Sequence, residues 1–243
     1  MVDIHCHILH KYDDGSGSLS ESVAMARMAA DTGVTHIVVT PHFKGNADSL
    51  RSLATLVDRY RELQQAIQRE NIPITLHLGA EILCTEETLQ LARRKLLPTI
   101  STTNYFLTEF YFDEDLDFMD DMLKNLTKAG YTPVVAHPER YTAIQHDPRI
   151  LEHWFRQGYV LQLNKGSILG AFGRRAEHTA HTILRAGLAH VIASDAHSAT
   201  HRTPHMEGLY RWLDHHIDPE YARILTEENP GRIIKGEPLV PVE

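Results

Sequence analysis

The chain has 243 residues, 42% hydrophobic and 23% charged, with a formal net charge of −8 and two cysteines. This is an ordinary globular balance, and without a long basic run it argues against nucleic-acid binding and a polybasic membrane patch. No apolar stretch nears the roughly 20 residues of a bilayer span, and Cys6 and Cys84 are too few for a disulfide framework. The amino terminus MVDIHCH carries no basic-then-apolar leader, so a reducing cytoplasm is the expected setting. Histidine is the outlier, with 17 copies.

In chain order, VDIHCHI (2–8) is a short strand. Ser20 is placed to cap the helix ESVAMARMAADTG (21–33), which ends at Gly33. THIVVT (35–40) is a second strand, apolar and β-branched. Residues 49–71 repeat Leu50, Leu53, Val57, Tyr60, Leu63 and Ile67 at helical spacing. PITLHLGAE (73–81) is a third strand, ETLQLARRKL (87–96) a short helix and NYFLTEF (104–110) a fourth strand. The helix DLDFMDDMLKNLTKAG (115–130) stops at Gly130, and TPVVAHPE (132–139) follows as a fifth strand. Asp147 and Pro148 start the helix PRILEHWFRQG (148–158), which leads to the strand YVLQLNKGS (159–167). The helix RRAEHTAHTILRAG (174–187) precedes a seventh strand, AHVIASDAH (189–197). Two helices (205–216 and 219–229) and a proline-containing tail (231–243) close the chain. Seven strands alternating with helices, with no Ser/Gly linker, predict one α/β domain over residues 1–243 with a buried parallel sheet. At this length barrel-like closure is favoured over an open doubly wound sheet. No Gly-x-Gly-x-x-Gly and no P-loop follows a strand.

Barrels of this kind carry their chemistry at the carboxyl ends of the strands. Those ends hold His5 and His7, then His42, Glu81, Glu109, His137, Asn164, and Asp195 with His197; Asp14 lies in the first loop. His5 and His7 are two apart, so on a strand they share a face, and Asp195 and His197 repeat the spacing. Singly, these residues have ordinary explanations: a His-x-His is often just two polar residues, Asp13-Asp14-Gly15 a turn, His137-Pro138 a strand stop. Gathered at one rim, five imidazoles and four carboxylates would repel and lose solvation without cations. A catalytic zinc site typically uses about three protein ligands, so this set suits two or three ions. Nitrogen and oxygen donors without thiolate favour manganese, iron or zinc over calcium or copper(I); of the three, manganese is taken as the first expectation. Tyr12, Phe43 and Tyr141 are candidates for lining a ring-sized pocket. His36, His77, His146, His153, His178, His181, His215 and His216 are expected to be mostly solvated, and His10, His201 and His205 stay open.

The stretches DIHCHILHKYDDG (3–15), THIVVTPHF (35–43), LGAEI (78–82), VVAHPERY (134–141) and ASDAHS (193–198), with the strand ending at Glu109, resemble the PHP (polymerase and histidinol phosphatase) superfamily. Within it they are similar to the bacterial protein tyrosine phosphatases linked to capsule and exopolysaccharide synthesis. The motifs run in family order over nearly the whole chain. The resemblance implies a distorted (β/α)7 TIM-like barrel of the PHP type around three metals. By family pattern one ion takes His5, His7, Glu81 and Asp195, a second Glu81, Glu109 and His137, and a third Asp14, His42 and His197. It also implies that Arg140 and Arg202 hold a substrate phosphate. The loop Ser198-Ala199-Thr200-His201 departs from the family pattern.

The activity implied is hydrolysis of phosphotyrosine by a hydroxide held on the ions, with a bacterial tyrosine kinase as protein partner. Asp195 belongs to that machinery, and His42, or His201 through a water, is the candidate proton donor. Neither cysteine is followed by the arginine that a Cys-x5-Arg phosphatase loop requires, so cysteine nucleophily is not expected. The rivals are a small-molecule phosphatase of the same superfamily, such as one for histidinol phosphate, and a metal-binding domain without catalysis. The sequence leaves the oligomeric state open.

Overall fold

The computed structural model describes residues 1–242, including every side chain but that of Ala47. Its elements are β1 (Val2–Cys6), α1 (Leu19–Asp31), β2 (His36–Val39), β3 (His42–Phe43), α2 (Ala47–Arg69), β4 (Thr75–Leu78), β5 (Glu81–Leu83) and α3 (Glu86–Arg93). After a 3-10 turn at Ile100–Thr102 come β6 (Tyr105–Glu109), α4 (Leu116–Lys128), β7 (Thr132–Ala136), a 3-10 turn at Pro138–Arg140, α5 (Thr142–His146) and α6 (Ile150–Arg156). They are followed by β8 (Val160–Asn164), α7 (Lys165–Ile168), α8 (Arg174–Arg185), β9 (Val191–Ala193), α9 (Glu207–His216), α10 (Pro219–Arg223) and α11 (Asn229–Ile233). The last two are joined by a π-helical turn, Ile224–Glu228. None of the described helices is long and apolar enough to cross a membrane.

All strand pairs are parallel. They form a three-stranded sheet, β1-β2-β4, and a six-stranded sheet, β3-β5-β6-β7-β8-β9. The second and third predicted strands are each broken in two, β2 from β3 at Thr40-Pro41 and β4 from β5 at Gly79-Ala80. Proline offers no N–H to a ladder, and a Cβ on Gly79 would lie 2.8 Å from Val38 Cγ1. Counting each broken pair as one strand restores seven. The barrel closes where Cys6 bridges Ala196, with His7 N donating to Ala196 O (2.8 Å) and Asp195 N to His5 O (2.9 Å). The distortion has a local origin. β4 does not pair with β6; the Ile100–Thr102 turn packs beside both, and Ser101 Oγ lies 3.0 Å from His77 Nδ1.

Two apolar layers hold this frame. Val2, Ile4, Val38, Leu107, Val134, Val160, Val191 and Ala193 form a separate inner cluster with Ile100 and Ile233. The larger outer cluster takes the opposite strand faces with Met25, Leu63, Met119 and Trp154 of the helices. β1 starts with Val2 and Ile4 in the inner cluster but ends with Cys6 in the outer one. The register shift between Asp3 and Cys6 explains the switch, because one extra residue reverses which side chains face inward. His5 thereby faces the barrel axis.

Several local expectations change. Ser18, not Ser20, caps α1, accepting from Glu21 N at 3.2 Å, while Ser20 lies inside the helix. The helix after Pro148 begins at Ile150, and Asp147 instead accepts from Arg149 N and its guanidinium. The predicted tail contributes Gly231–Ile233 to α11, and its last residue, Glu243, lies outside the described residues. Cys6 and Cys84 are both buried and unpaired.

Candidate metal centre

His5 closes the inward run of β1, and His7 begins the loop beyond it. That loop is cinched by backbone bonds, Lys11 N to Ser16 O (2.8 Å) and Ser16 N to His7 O (3.2 Å). Gly15 lies so close beneath His7 that a Cβ there would come within 2.1 Å of His7 O. The turn aims Asp13 inward: its Oδ2 lies 2.8 Å from His7 Nδ1 and accepts from His42 N, and its Oδ1 accepts from Gly15 N. Burial opposes the Asp13 charge, but the hydrogen bond and charge of His7 prevail and bring its carboxyl down to about 2.

Five imidazoles and four carboxylates converge at this rim. His5 Nε2 lies 3.2 Å from His7 Nε2, and Glu81 reaches both rings, Oε1 to His5 at 3.2 Å and Oε2 to His7 at 3.1 Å. Asp195 Oδ1 is 3.3 Å from His5 Nε2. His137 Nε2 sits 2.9 Å from Glu81 Oε1. His42 Nδ1 faces Glu81 (3.2 Å) and Glu109 (3.1 Å), while its Nε2 lies 3.4 Å from Asp14 Oδ1. His197 stacks on His7 at 3.9 Å between centroids and points Nε2 at Asp14 (3.5 Å). Their ligand atoms gather, within 4.8 Å of one another, into four overlapping groups: His5, His7 and Glu81; His5, His137 and Asp195; His42, Glu81 and Glu109; and His7, Asp14, His42 and His197. This partition differs from the family pattern. His137 falls with His5 and Asp195 rather than with Glu109, Asp195 is parted from His7 and Glu81, His42 joins Glu81 and Glu109 as well as Asp14 and His197, and His5 and His7 are each shared between two groups.

The last motif converges by a different route from the one its spacing predicts. β9 stops at Ala193, and Asp195 turns in the left-handed region (φ 49°), so it and His197 are not on a strand. His137 (φ 38°) and Arg202 (φ 49°) share that unfavourable conformation. Three non-glycine residues at one mouth hold backbone strain of about 1–3 kcal/mol each, which the surrounding contacts must offset.

The hydrogen-bond network tests whether cations fit here. An ionised Asp195 only accepts, so the group meeting its Oδ2 is the Asn164 amide nitrogen. Asn164 Oδ1 then accepts from Gln162 Nε2 (2.9 Å), which leaves Gln162 Oε1 facing His5 Nδ1 at 2.8 Å. His5 therefore carries its proton on Nδ1, as His7 does against Asp13. With both rings neutral, two bare Nε2 atoms and the oxygens of Glu81 and Asp195 confront one another with no proton among them. Such a cluster of lone pairs, with each far nitrogen held by an acceptor, fits divalent cations. Without an ion a proton takes that role: burial works against protonation of His7, yet Asp13 and Glu81 raise it to about 10. Burial likewise opposes the Glu81 charge, but His5, His137 and His7 hold it well below the usual carboxylate range.

Two arginines complete the mouth, a cavity of about 270 Å³. Arg202 Nη2 contacts Asp195 Oδ2 at 2.5 Å, and Arg140 Nη1 lies 3.7 Å from the same oxygen. Arg140 pairs with neither Glu109 nor Glu139. Its guanidinium lies between Phe112 (4.3 Å) and Phe172 (4.4 Å), and Arg202 rests 5.3 Å over Phe172. Of the aromatic residues expected to line a pocket, Phe43 and Tyr141 are core residues. Tyr12 lines a neighbouring cavity that shares His42 with the site, its hydroxyl 2.8 Å from Ser52 Oγ. His10 pairs with Glu62 (3.0 Å), whereas His201 and His205 are exposed. Asp13, Gln162, Phe112 and Phe172 had no role in the sequence reading; only the Asp13-Asp14 pair could have flagged one of them.

The sequence profile of the capsular polysaccharide synthesis CpsB/CapC family matches residues 1–235. The chain is 36% identical over 228 residues to the tyrosine-protein phosphatase YwqE of Bacillus subtilis, covering 93% of this chain and 89% of that protein. It is 29% identical over 243 residues to the tyrosine-protein phosphatase CpsB of Streptococcus pneumoniae, covering 98% and 99%. A crystal structure from a pair of metal-dependent tyrosine phosphatases, YwqE of B. subtilis and CpsB of S. pneumoniae, superposes with a TM-score of 0.86 at 31% identity over 99% of this chain and 96% of that one. The lactonase Lmo2620 of Listeria monocytogenes shares the fold at a TM-score of 0.68, with 11% identity over 98% and 95% of the two chains.

Proposed function

The chain belongs to the CpsB/CapC family of capsular polysaccharide synthesis, and from that footing we propose that it is a metal-dependent tyrosine-protein phosphatase. Its substrate is a phosphotyrosine-bearing protein, and we take a bacterial tyrosine kinase of a polysaccharide pathway as that partner, met in the cytoplasm. Residues 1–243 act as one phosphatase domain. The observation that carries this reading is the meeting of His5, His7, Glu81 and Asp195, each imidazole with its far nitrogen held by an acceptor, beside two arginines at one open mouth.

His5, His7, Asp14, His42, Glu81, Glu109, His137, Asp195 and His197 would hold two or three divalent ions, with manganese the first choice. Such ions supply an acidified water and positive charge for the phosphoryl oxygens. The chain's own groups do the rest. Arg140 and Arg202 donate forked hydrogen bonds to non-bridging phosphate oxygens. Their cation–π seats on Phe112 and Phe172 limit how far the guanidinium groups can swing. Asp195 links the two halves of the site, one oxygen toward His5 and the other toward the arginines. The departing phenolate is stable enough to need little protonation; His42, counted among the ion ligands with a nitrogen toward each of two groups, would donate a proton only if it were released from the ions.

The test is release of phosphate from a phosphotyrosine peptide. Hydrolysis should vanish with a chelator, return with Mn²⁺, and be lost in Asp195→Ala while circular dichroism stays native. Histidinol phosphate should be turned over poorly. A chelator-resistant activity, or full turnover in Asp195→Ala, contradicts the proposal.

A further inference from the structure

Among the described residues, Tyr111, Phe112 and Leu169 are the large apolar side chains left exposed. Phe112 is the one that lines the mouth of the metal centre, and it is 45% exposed. Its position is set from both sides of the chain. Phe110 before it is buried and its N–H bonds the Tyr141 hydroxyl at 3.2 Å, while Phe112 O accepts from Thr142 N at 2.7 Å. The ring is therefore a fixed wall rather than a loose loop tip. Arg140 covers part of it at 4.3 Å, and His137 approaches edge-on at 5.9 Å. The rest of the ring stays bare beside a cavity whose other lining groups are carboxylates, imidazoles and guanidinium groups.

An exposed aromatic ring in an otherwise polar mouth indicates an apolar ligand group. We propose that Phe112 is a specificity-determining residue: its uncovered surface packs against the phenyl ring of the bound phosphomonoester while Arg140, stacked on the same ring, holds the phosphate. This rests on the phosphatase reading above and refines it, because one side chain then measures the spacing between a phosphate and an aromatic ring. Alkyl phosphates would satisfy the arginines and leave the wall uncovered.

Calorimetry on the Mn-loaded protein separates ring recognition from turnover. Benzylphosphonate and methylphosphonate share a phosphonate head group with a carbon in place of the ester oxygen, and differ by a phenyl ring in place of one hydrogen on that carbon. The wild type should bind benzylphosphonate more tightly. Phe112→Ala should cut that preference roughly three- to tenfold, the worth of one good aromatic contact, and Phe112→Trp should keep it. If Phe112→Ala weakens both ligands alike, the ring merely seats Arg140 and the proposal is wrong; an unchanged preference in Phe112→Ala overturns it equally. Phe112→Leu, which keeps bulk, guards against a folding defect and should also lose preference. A protein that shows the ring preference but never hydrolyses phosphotyrosine refutes the phosphatase reading and leaves the wall in place.

Discussion

Asp13 and Gln162 hold no position in the gathered ligand groups, yet each fixes which nitrogen of an imidazole is free. Gln162 does so at the end of a relay that begins on Asp195 and passes through Asn164. Gln162→Leu removes the acceptor for His5 Nδ1–H and lets the ring change tautomer or turn. Mn²⁺ affinity should fall roughly 10- to 100-fold, the usual cost of losing such a partner, as read by metal titration of a natively folded variant. Unchanged affinity would mean that the relay does not orient His5. Five of the nine rim residues stood out in the sequence because His-x-His, Thr-Pro-His and Ser-Asp-Ala-His are compact patterns, whereas Asp14, Glu81, Glu109 and His137 drew notice only from their places at expected strand ends and in the first loop. Gln162 did neither, because it reads as one more alternating position of a buried strand. Its meaning comes from a side chain 157 residues away.

At the scale of elements, the joint between β8, β9 and α6 carries a second histidine of consequence. His190 stacks on Phe155 at 4.7 Å and its Nδ1 accepts from Leu161 N at 3.1 Å. Burial lowers its basicity to about 4, and a proton on Nδ1 would displace the Leu161 bond. The unfolded chain takes up that proton near the ordinary value of 6.5, while the folded one refuses it until about 4. Stability should therefore decline as pH falls through this window, by up to about 3 kcal/mol from this site. In urea unfolding, His190→Asn should show a shallower decline than the wild type between these limits; parallel curves would refute the assignment. His190 had no reading of its own at the level of sequence; it is only the second residue of the stretch AHVIASDAH. Element boundaries show the same limit. The breaks at Thr40-Pro41 and Gly79-Ala80 arise where successive strands bend together, and hydrophobic runs such as PITLHLGAE look continuous. The switch of facing within β1 is invisible to period counting, which assumes an unbroken alternation.

For the whole molecule, the barrel brings β1 and β9 into contact from opposite ends of the chain, and the ligand groups straddle that seam. His5 and His7 lie on one side and Asp195 and His197 on the other. Ions bound across it would favour only the closed barrel. At a free Mn²⁺ concentration of 100 times the dissociation constant the gain is about 2.7 kcal/mol, and for a chain of this size the thermal midpoint should drop by roughly 5–10 °C on chelation. Scanning calorimetry with and without chelator checks it; an unchanged midpoint would mean the seam holds without ions. The barrel itself was predictable from the alternating strands and helices, whereas its splayed lower half, wedged by Ile100–Thr102, depends on a short turn with no sequence period. The overlap among the four groups has one more consequence. His5, His7, His42 and Glu81 each belong to two of them. The single bare nitrogen of His5, like that of His7, can grip one ion only, so adjoining groups would compete for it. The four groups therefore amount to fewer than four seats, and filling one would strip a donor from its neighbour.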